Sequence, residues 1–272
     1  MWLWFGAAAV GLSLGLLGSG GAILTVPILV YVVGHGEKSA IVESFVIVGA
    51  IALLGMLRAL RANQVDVRSA VLLALPGIIG TSIGTRVSAF VPGALQLVLL
   101  VPLMCVAAFL MFREGATTTQ RKLVDRSSTG KGGGPLWIIL LEGAALGFLT
   151  GLLGVGGGFL IVPMLVLVRG LPMHRAVGTS LAVITINSAS AFLHFVIVRG
   201  TVPAGTDSTP RVAEAITIDW QAVGIFASIG CIAIILGNAL GDRIPTRALR
   251  RVFAVLLVLL AIFTLIRSLP HI

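Results

Sequence analysis

Apolar residues in this chain come in eight long runs, at 2–33, 40–60, 69–91, 94–112, 136–168, 176–198, 220–240 and 248–266. A helix needs about 20 apolar residues to cross the hydrocarbon core of a bilayer, so each run predicts a membrane helix. Four polar stretches interrupt the runs. The longest, 113–135, is rich in Thr, Ser, Gly, Lys and Arg and reads as a linker between a first repeat at 1–112 and a second at 136–272. Residues 199–218, with Pro203, Gly205 and Pro210, read as an exposed loop, and 58–68 and 241–251 as short basic loops.

Two runs are too long for one crossing and too short for two. Both 2–33 and 136–168 exceed thirty residues, and each holds a glycine cluster in its middle: Gly18, Gly20 and Gly21 around Ser19, and Gly154, Gly156 and Gly157. Glycine lets the backbone turn where other residues clash, so each run is either a long broken helix or a re-entrant hairpin of two half-helices. The clusters belong to an internal duplication. Residues 15–34 and 151–170 match at 13 of 20 positions at an offset of 136, with four glycines and a proline (Pro27, Pro163) in register. Ala40 and Ser44 fall on Ala176 and Ser180, and Gly80, Gly84 and Arg86 align with Gly237, Gly241 and Arg243. Such a repeat is a mark of transporter folds.

Composition fits the pattern. The chain is 57% apolar and 11% charged, with a mean hydropathy of +1.10. A soluble domain has about twice that share of charge and could not cover this much apolar surface, which excludes a soluble enzyme, a disordered chain and a secreted disulfide scaffold. Cys105 and Cys231 lie inside apolar runs and read as small buried side chains. The apolar N-terminus has no preceding Lys or Arg and reads as retained structure, not a cleaved signal. The formal net charge of +9 reads as lipid-facing loop charge, with no nucleic-acid partner.

Loop charge chooses between the two topologies. If each long run were a single crossing, the 19 Lys and Arg would divide almost evenly between the two sides of the membrane. If each run enters and leaves on one face, 14 of the 19 collect on one side, leaving Lys38, Arg86, Arg199, Arg211 and Arg267 on the other. The positive-inside rule prefers the second arrangement. The expected fold is therefore an all-α integral membrane protein of two inverted repeats. Each repeat is a glycine-broken, re-entrant segment plus three transmembrane helices, with both termini outside the cytoplasm and the glycine tips meeting near the midplane.

Candidate chemistry starts at those tips. The half-helix after each turn has free N–H groups that cannot stay bare in a membrane and that favour an anion. Candidate substrate contacts are Gly18, Ser19, Gly20 and Gly21 in the first half and Gly154, Gly156 and Gly157 in the second. Glu43, Ser44, Thr179, Ser180 and Asn187 are polar side chains inside spans that join them. Ionisable groups within a membrane are functional candidates, which brings in Glu142 for coupling and Arg86 and Arg243 for a charged vestibule. His194 reads as interfacial. No metal-binding, nucleotide-binding or C-x-x-C motif is present. Transport would then use an ion gradient or the substrate's own gradient. An anion channel, a membrane-embedded enzyme and an accessory subunit are the rival readings.

The doubled G-L-L-G-x-G-G-[AG]-x-[LI]-x-V-P-x-L motif, followed by Ala176-Val177-Gly178-Thr179-Ser180, resembles the sulfite exporter TauE/SafE family of bacterial membrane proteins. The resemblance spans nearly the whole chain. It implies a multi-pass inner-membrane carrier that exports sulfite, sulfonates such as sulfoacetate, or other small organic anions, with the proton-motive force as driver. With metal-binding, nucleotide-binding and C-x-x-C motifs absent, no cofactor and no metal is expected, and protons, lipid and a second copy of the chain are the further partners considered. In the first half Ile41-Val42-Glu43-Ser44 stands where the second has the A-x-G-T-S pattern, which singles out Glu43.

Overall fold

The computed structural model describes residues 2–18, 20–113, 136–153, 158–167, 169–201 and 218–241, with single positions from 248 to 264. The described residues are helical and contain no strand. The helices are α1 (Trp2–Leu17), α2 (Gly20–Ile28), α3 (Glu37–Arg61), α4 (Val67–Phe90), α5 (Gly93–Arg113), α6 (Leu136–Leu153), α7 (Gly158–Leu167), α8 (Met173–Thr201) and α9 (Trp220–Gly241). Four of them are long and apolar enough to cross a membrane: Glu37–Arg61, Val67–Ser88, Met173–Ile197 and Trp220–Gly241.

The first long run is a hairpin. Its turn is Gly18, whose φ of 71° lies in the left-handed region that glycine enters without strain. Helix α2 then folds back along α1, with Gly21 against Val10 and Leu14, and Ile28 against Gly6. Pro27 withholds an N–H inside α2, and the chain widens to a π-helical stretch, Leu29–Val33. Gly34, at φ 86°, ends it, and His35 N–H donates to Leu29 O at 3.0 Å. The second repeat closes its half-helix the same way 136 residues later: Gly170 has φ 65° and Leu171 N–H donates to Leu165 O at 3.1 Å.

Helix α1 runs parallel to α9, with Gly11 on Gly230 and Gly15 on Gly237. Helix α6 runs parallel to α4, with Gly143 on Leu73, Gly147 on Gly77 and Gly151 on Thr81. Small residues let these backbones touch, which is how helices associate where no hydrophobic force distinguishes lipid from protein. The equivalences set by the contacts correct the sequence register by one helical turn. Gly77 corresponds to Gly230 and Gly84 to Gly237, so Gly80 does not pair with Gly237, and Arg86 and Arg243 are not equivalents.

Helices α3 and α8 cross antiparallel at the centre, with Gly49 against Ser188, Gly55 against Leu181, and Gly178 against Ala59. Phe45, Ile47, Ile51, Leu181, Val183 and Ile184 fill the core around them. The outer surface is also apolar: Val71, Leu75, Ile79 and Ile83 form a stripe along α4, and Ile232, Ile235, Leu236 and Leu240 one along α9. Stripes this large signal contact with something other than water, here lipid. Arg58, Arg61, Arg68, Arg169 and Arg175 sit at the end of the bundle where Asp66 caps α4; Lys38, Arg86 and Arg199 sit at the end where Asp219 caps α9.

Candidate functional site

Three joints recur at the two ends of the bundle. Asp66 caps α4 by accepting from Ser69 N–H at 3.4 Å and Ser69 Oγ at 2.6 Å. Asp219 caps α9 by accepting from the N–H groups of Gln221 and Ala222 at 2.9 and 3.0 Å. The Asp66 N–H donates to Thr179 Oγ1 at 2.9 Å, and the Asp219 N–H donates to Glu43 Oε1 at 2.9 Å. Thr179 and Glu43 are 136 residues apart, so they do the same job at opposite ends. In the third joint His174 Nε2 lies 3.3 Å from Gly241 O, while Lys38 Nζ donates to Ser88 O and Val91 O at 2.5 and 2.6 Å.

The Gly18 turn lies against Val177 and Ser180 of α8, and Ser180 Oγ donates to Gly18 O at 3.0 Å and to Val177 O at 2.8 Å. The Ser180 hydroxyl therefore fastens the turn. The turn lies seven residues, about 10 Å along a helix, from Asn187 at the middle of α8, so the first tip passes the centre and does not stop at it. Beside it opens a cavity of about 130 Å³ at the Asp66 end. Gly15, Leu16, Val177, Gly178 and Leu181 form its floor, and Arg58, Gln64, His174 and Asn238 supply its polar lining. Its described ionisable lining residues, Arg58 and His174, are both basic. Arg58 Nη1 donates to Ile235 O at 3.0 Å, which ties the guanidinium to α9 beside the cavity. A second cavity of about 300 Å³, mostly apolar, shares Arg58 and Asn238 with the first and extends between α3 and α9.

The middle of the bundle holds polar groups with nothing to bond. Asn187 is fully buried, and neither its Oδ1 nor its Nδ2 has a partner. Gly77 makes room for it on α4. The hydroxyls of Ser188 and Thr81, both fully buried, are also unpartnered. Each such group costs about 1–3 kcal/mol if it stays unpaired. At the equivalent places in the other repeat stand Ile51 and Ala52 on α3, with Gly230 and Ile234 on α9, all apolar.

The residues singled out in the sequence are thus dispersed. Gly18 and Ser180 meet; Gly20 and Gly21 open α2; Asn187 lies at the centre; Thr179 and Glu43 are at opposite ends. Ser44 repeats the Ser180 geometry by donating to Ile41 O at 2.6 Å. Glu142 Oε2 and Arg169 Nη2 are buried and unpartnered at the Asp66 end, with Arg169 in electrostatic reach of the Glu142 carboxylate. Arg86 is exposed at the Asp219 end and acts on His194. Ser19, Gly154, Gly156, Gly157 and Arg243 lie outside the described residues, as does most of the 113–135 linker. Arg58, Gln64, His174 and Asn238 escaped the sequence reading. Asn238, an amide within an apolar run like Asn187, was the signal available; Arg58 counted only as loop charge.

The profile of the family described as Sulfite exporter TauE/SafE matches residues 3–264. A "Probable membrane transporter protein" of Xylella fastidiosa is 34% identical over 269 residues, covering 95% of this chain and 92% of that one. A protein of the same description from Haemophilus influenzae is 34% identical over 131 residues, 46% of this chain and 43% of its own. A probable membrane transporter of Methanocaldococcus jannaschii is 26% identical over 196 residues, 68% of this chain and 70% of its own. No solved structure matches.

Proposed function

The chain belongs to the sulfite exporter TauE/SafE family and is a multi-pass membrane transporter, and from that premise we propose that it is a secondary carrier exporting a small anion, sulfite or an organosulfonate such as sulfoacetate. The observation that carries the anion assignment is the cavity at the Asp66 end, lined by Arg58 and His174 beside the Val177 on which the Gly18 turn packs, with no carboxylate among its described lining residues. An oxyanion there gains the field of two basic groups and hydrogen bonds from the Gln64 and Asn238 amides. Helix α2 begins just past the Gly18 turn, which brings the positive end of a helix to the same end of the bundle. The unpartnered Asn187, Ser188 and Thr81 continue the polar lining inward, as a transit site for a solute would.

In this reading the Asp66 end faces the cytoplasm, in keeping with its arginines. The packing supports reading the repeats as inverted: helices α3 and α8 run antiparallel, and α1 pairs with α9 as α6 pairs with α4, the arrangement a two-fold axis in the membrane plane would produce. The cavity opens at one end, and the matching groups at the other end (Lys38, Ser88, Thr85 and His194) are packed or bonded, which suits a carrier caught facing inward. The test is counterflow of labelled sulfoacetate into proteoliposomes of the purified chain. Saturable uptake that unlabelled sulfite competes away is the expected result. Folded protein with no counterflow, or counterflow competed only by simple carboxylates, overturns the substrate assignment.

A further inference from the structure

The two end joints differ in one chemical respect. At the Asp66 end the N–H of the capping aspartate is held by a hydroxyl, Thr179 Oγ1; at the Asp219 end it is held by a carboxylate, Glu43 Oε1. A hydroxyl is enough to make the joint. A fully buried carboxylate in its place is costly, and charges are kept out of water only with partners. The partner is His35. Its Nδ1 lies 2.6 Å from Glu43 Oε2 and its Nε2 lies 3.8 Å from Asp219 Oδ2. Leu171 is the equivalent position in the second repeat, so this imidazole has no counterpart there.

We propose that His35, clasped between Glu43 and Asp219, is a proton-binding site that ties the exit of the first hairpin to the start of α9. A neutral imidazole has one N–H and can serve only one of its two carboxylates; the other then faces a bare nitrogen lone pair. Protonated, the ring donates to Glu43 through Nδ1 in a charge-assisted bond and turns a second N–H toward Asp219, which it attracts as an ion pair across 3.8 Å. One proton therefore closes a clasp joining three elements: the turn after the π-helical stretch, α3, and the first turn of α9. Among the described residues, the other titratable or charged groups nearby are Tyr31 on the π-helical stretch and Glu37 and Lys38 on the first turn of α3, with Lys38 engaged by Ser88 O and Val91 O. Helix α1 brings no ionisable side chain, and Cys231 is the other such group on α9. The clasp lies at the end opposite the basic cavity, so protons arriving on that side would hold that mouth shut. The site stands whatever anion is carried.

The test is hydrogen exchange of the purified full chain in detergent, read by mass spectrometry between pH 5.5 and 8 and corrected for intrinsic rates. Protection of the amides at 219–223 is expected to fall about tenfold as pH rises, the loss of one charge-assisted contact. The amides at 66–70, tied by Thr179, are the built-in control and are expected to stay flat. His35→Gln should abolish the pH dependence while leaving the helix folded, and Glu43→Gln, which keeps an acceptor for the Asp219 N–H, should do the same. A flat wild-type profile at 219–223, or an unchanged slope in His35→Gln, overturns the proposal. Transport is not the readout, so a wrong substrate cannot be mistaken for a missing clasp.

Discussion

At the scale of single residues, function and stability pull in opposite directions, and that separates their roles. Asn187 is buried with two unpartnered polar atoms, and replacing an unsatisfied polar group by an apolar one of the same shape is neutral or stabilising. Asn187→Leu is therefore expected to keep or raise the melting temperature of the purified protein while counterflow falls at least tenfold; a drop in both would make Asn187 structural. Arg58 behaves differently. It lines the cavity at the end of α3 and is partly exposed, so Arg58→Gln should leave stability within about 0.5 kcal/mol but raise the KM for an oxyanion about tenfold or more, the loss of a charged hydrogen bond. Gly18 is a third kind. An alanine there must hold a φ of 71° and meet Val177 and Ser180, so Gly18→Ala should cost about 1–2 kcal/mol in thermal unfolding before any effect on transport. The sequence pointed to Gly18 and Asn187 because a glycine cluster and a lone amide stand out in an apolar run. It could not point to Arg58 or His174 as lining, since a basic residue at a helix end looks the same whether it faces a cavity or a headgroup.

At the scale of elements, glycines decide which helices pair. On α4, a methyl added at Gly80 would run into the Ala144 carbonyl and one at Gly84 into that of Phe148; on α6, one at Gly147 would run into Gly77. Gly147→Leu should therefore split α6 from α4 and lower stability by about 3 kcal/mol or more, whereas Ala at Gly224, which has open space around it, should be silent. The lengths of the helices were legible from the apolar runs alone. Their pairing was not, because glycines recur every few residues and several registers fit equally well. The one-turn error that matched Gly80 with Gly237 arose there: both registers bring glycine onto glycine, and only the contacts of Gly77 with Gly147 and of Gly230 with Gly11 choose between them. The same shift exposes the equivalence of Asp66 and Asp219, and with it the shared task of Thr179 and Glu43, which the offset of 136 alone had hinted at without a reason.

At the scale of the whole molecule, the loop-charge argument and the packing converge on one arrangement from different starting points. Charge alone favoured hairpins, because only then do most of the Lys and Arg residues share a side. Packing supplies the path: α1 runs parallel to α9 from Gly6 beside Phe226 to Gly15 beside Gly237, and α2 returns until Ile28 is level with Gly6. Trp4 and Gly36 therefore lie at the same end, and Asn63 at the other, beyond the far end of α3. In a single broken span, Trp4 and Gly36 would be separated by the membrane. The consequence is a labelling experiment in intact cells. With Cys105 and Cys231 replaced by Ser, Trp4→Cys and Gly36→Cys should both react with a membrane-impermeant thiol reagent added outside, and Asn63→Cys should react only after the cells are opened. Reaction of Gly36→Cys without Trp4→Cys would restore the single span and divide the positive charge almost evenly between the two faces. It would also remove the helix end that the proposed anion site draws on, because α2 begins at the Asp66 end only if the chain turns back at Gly18.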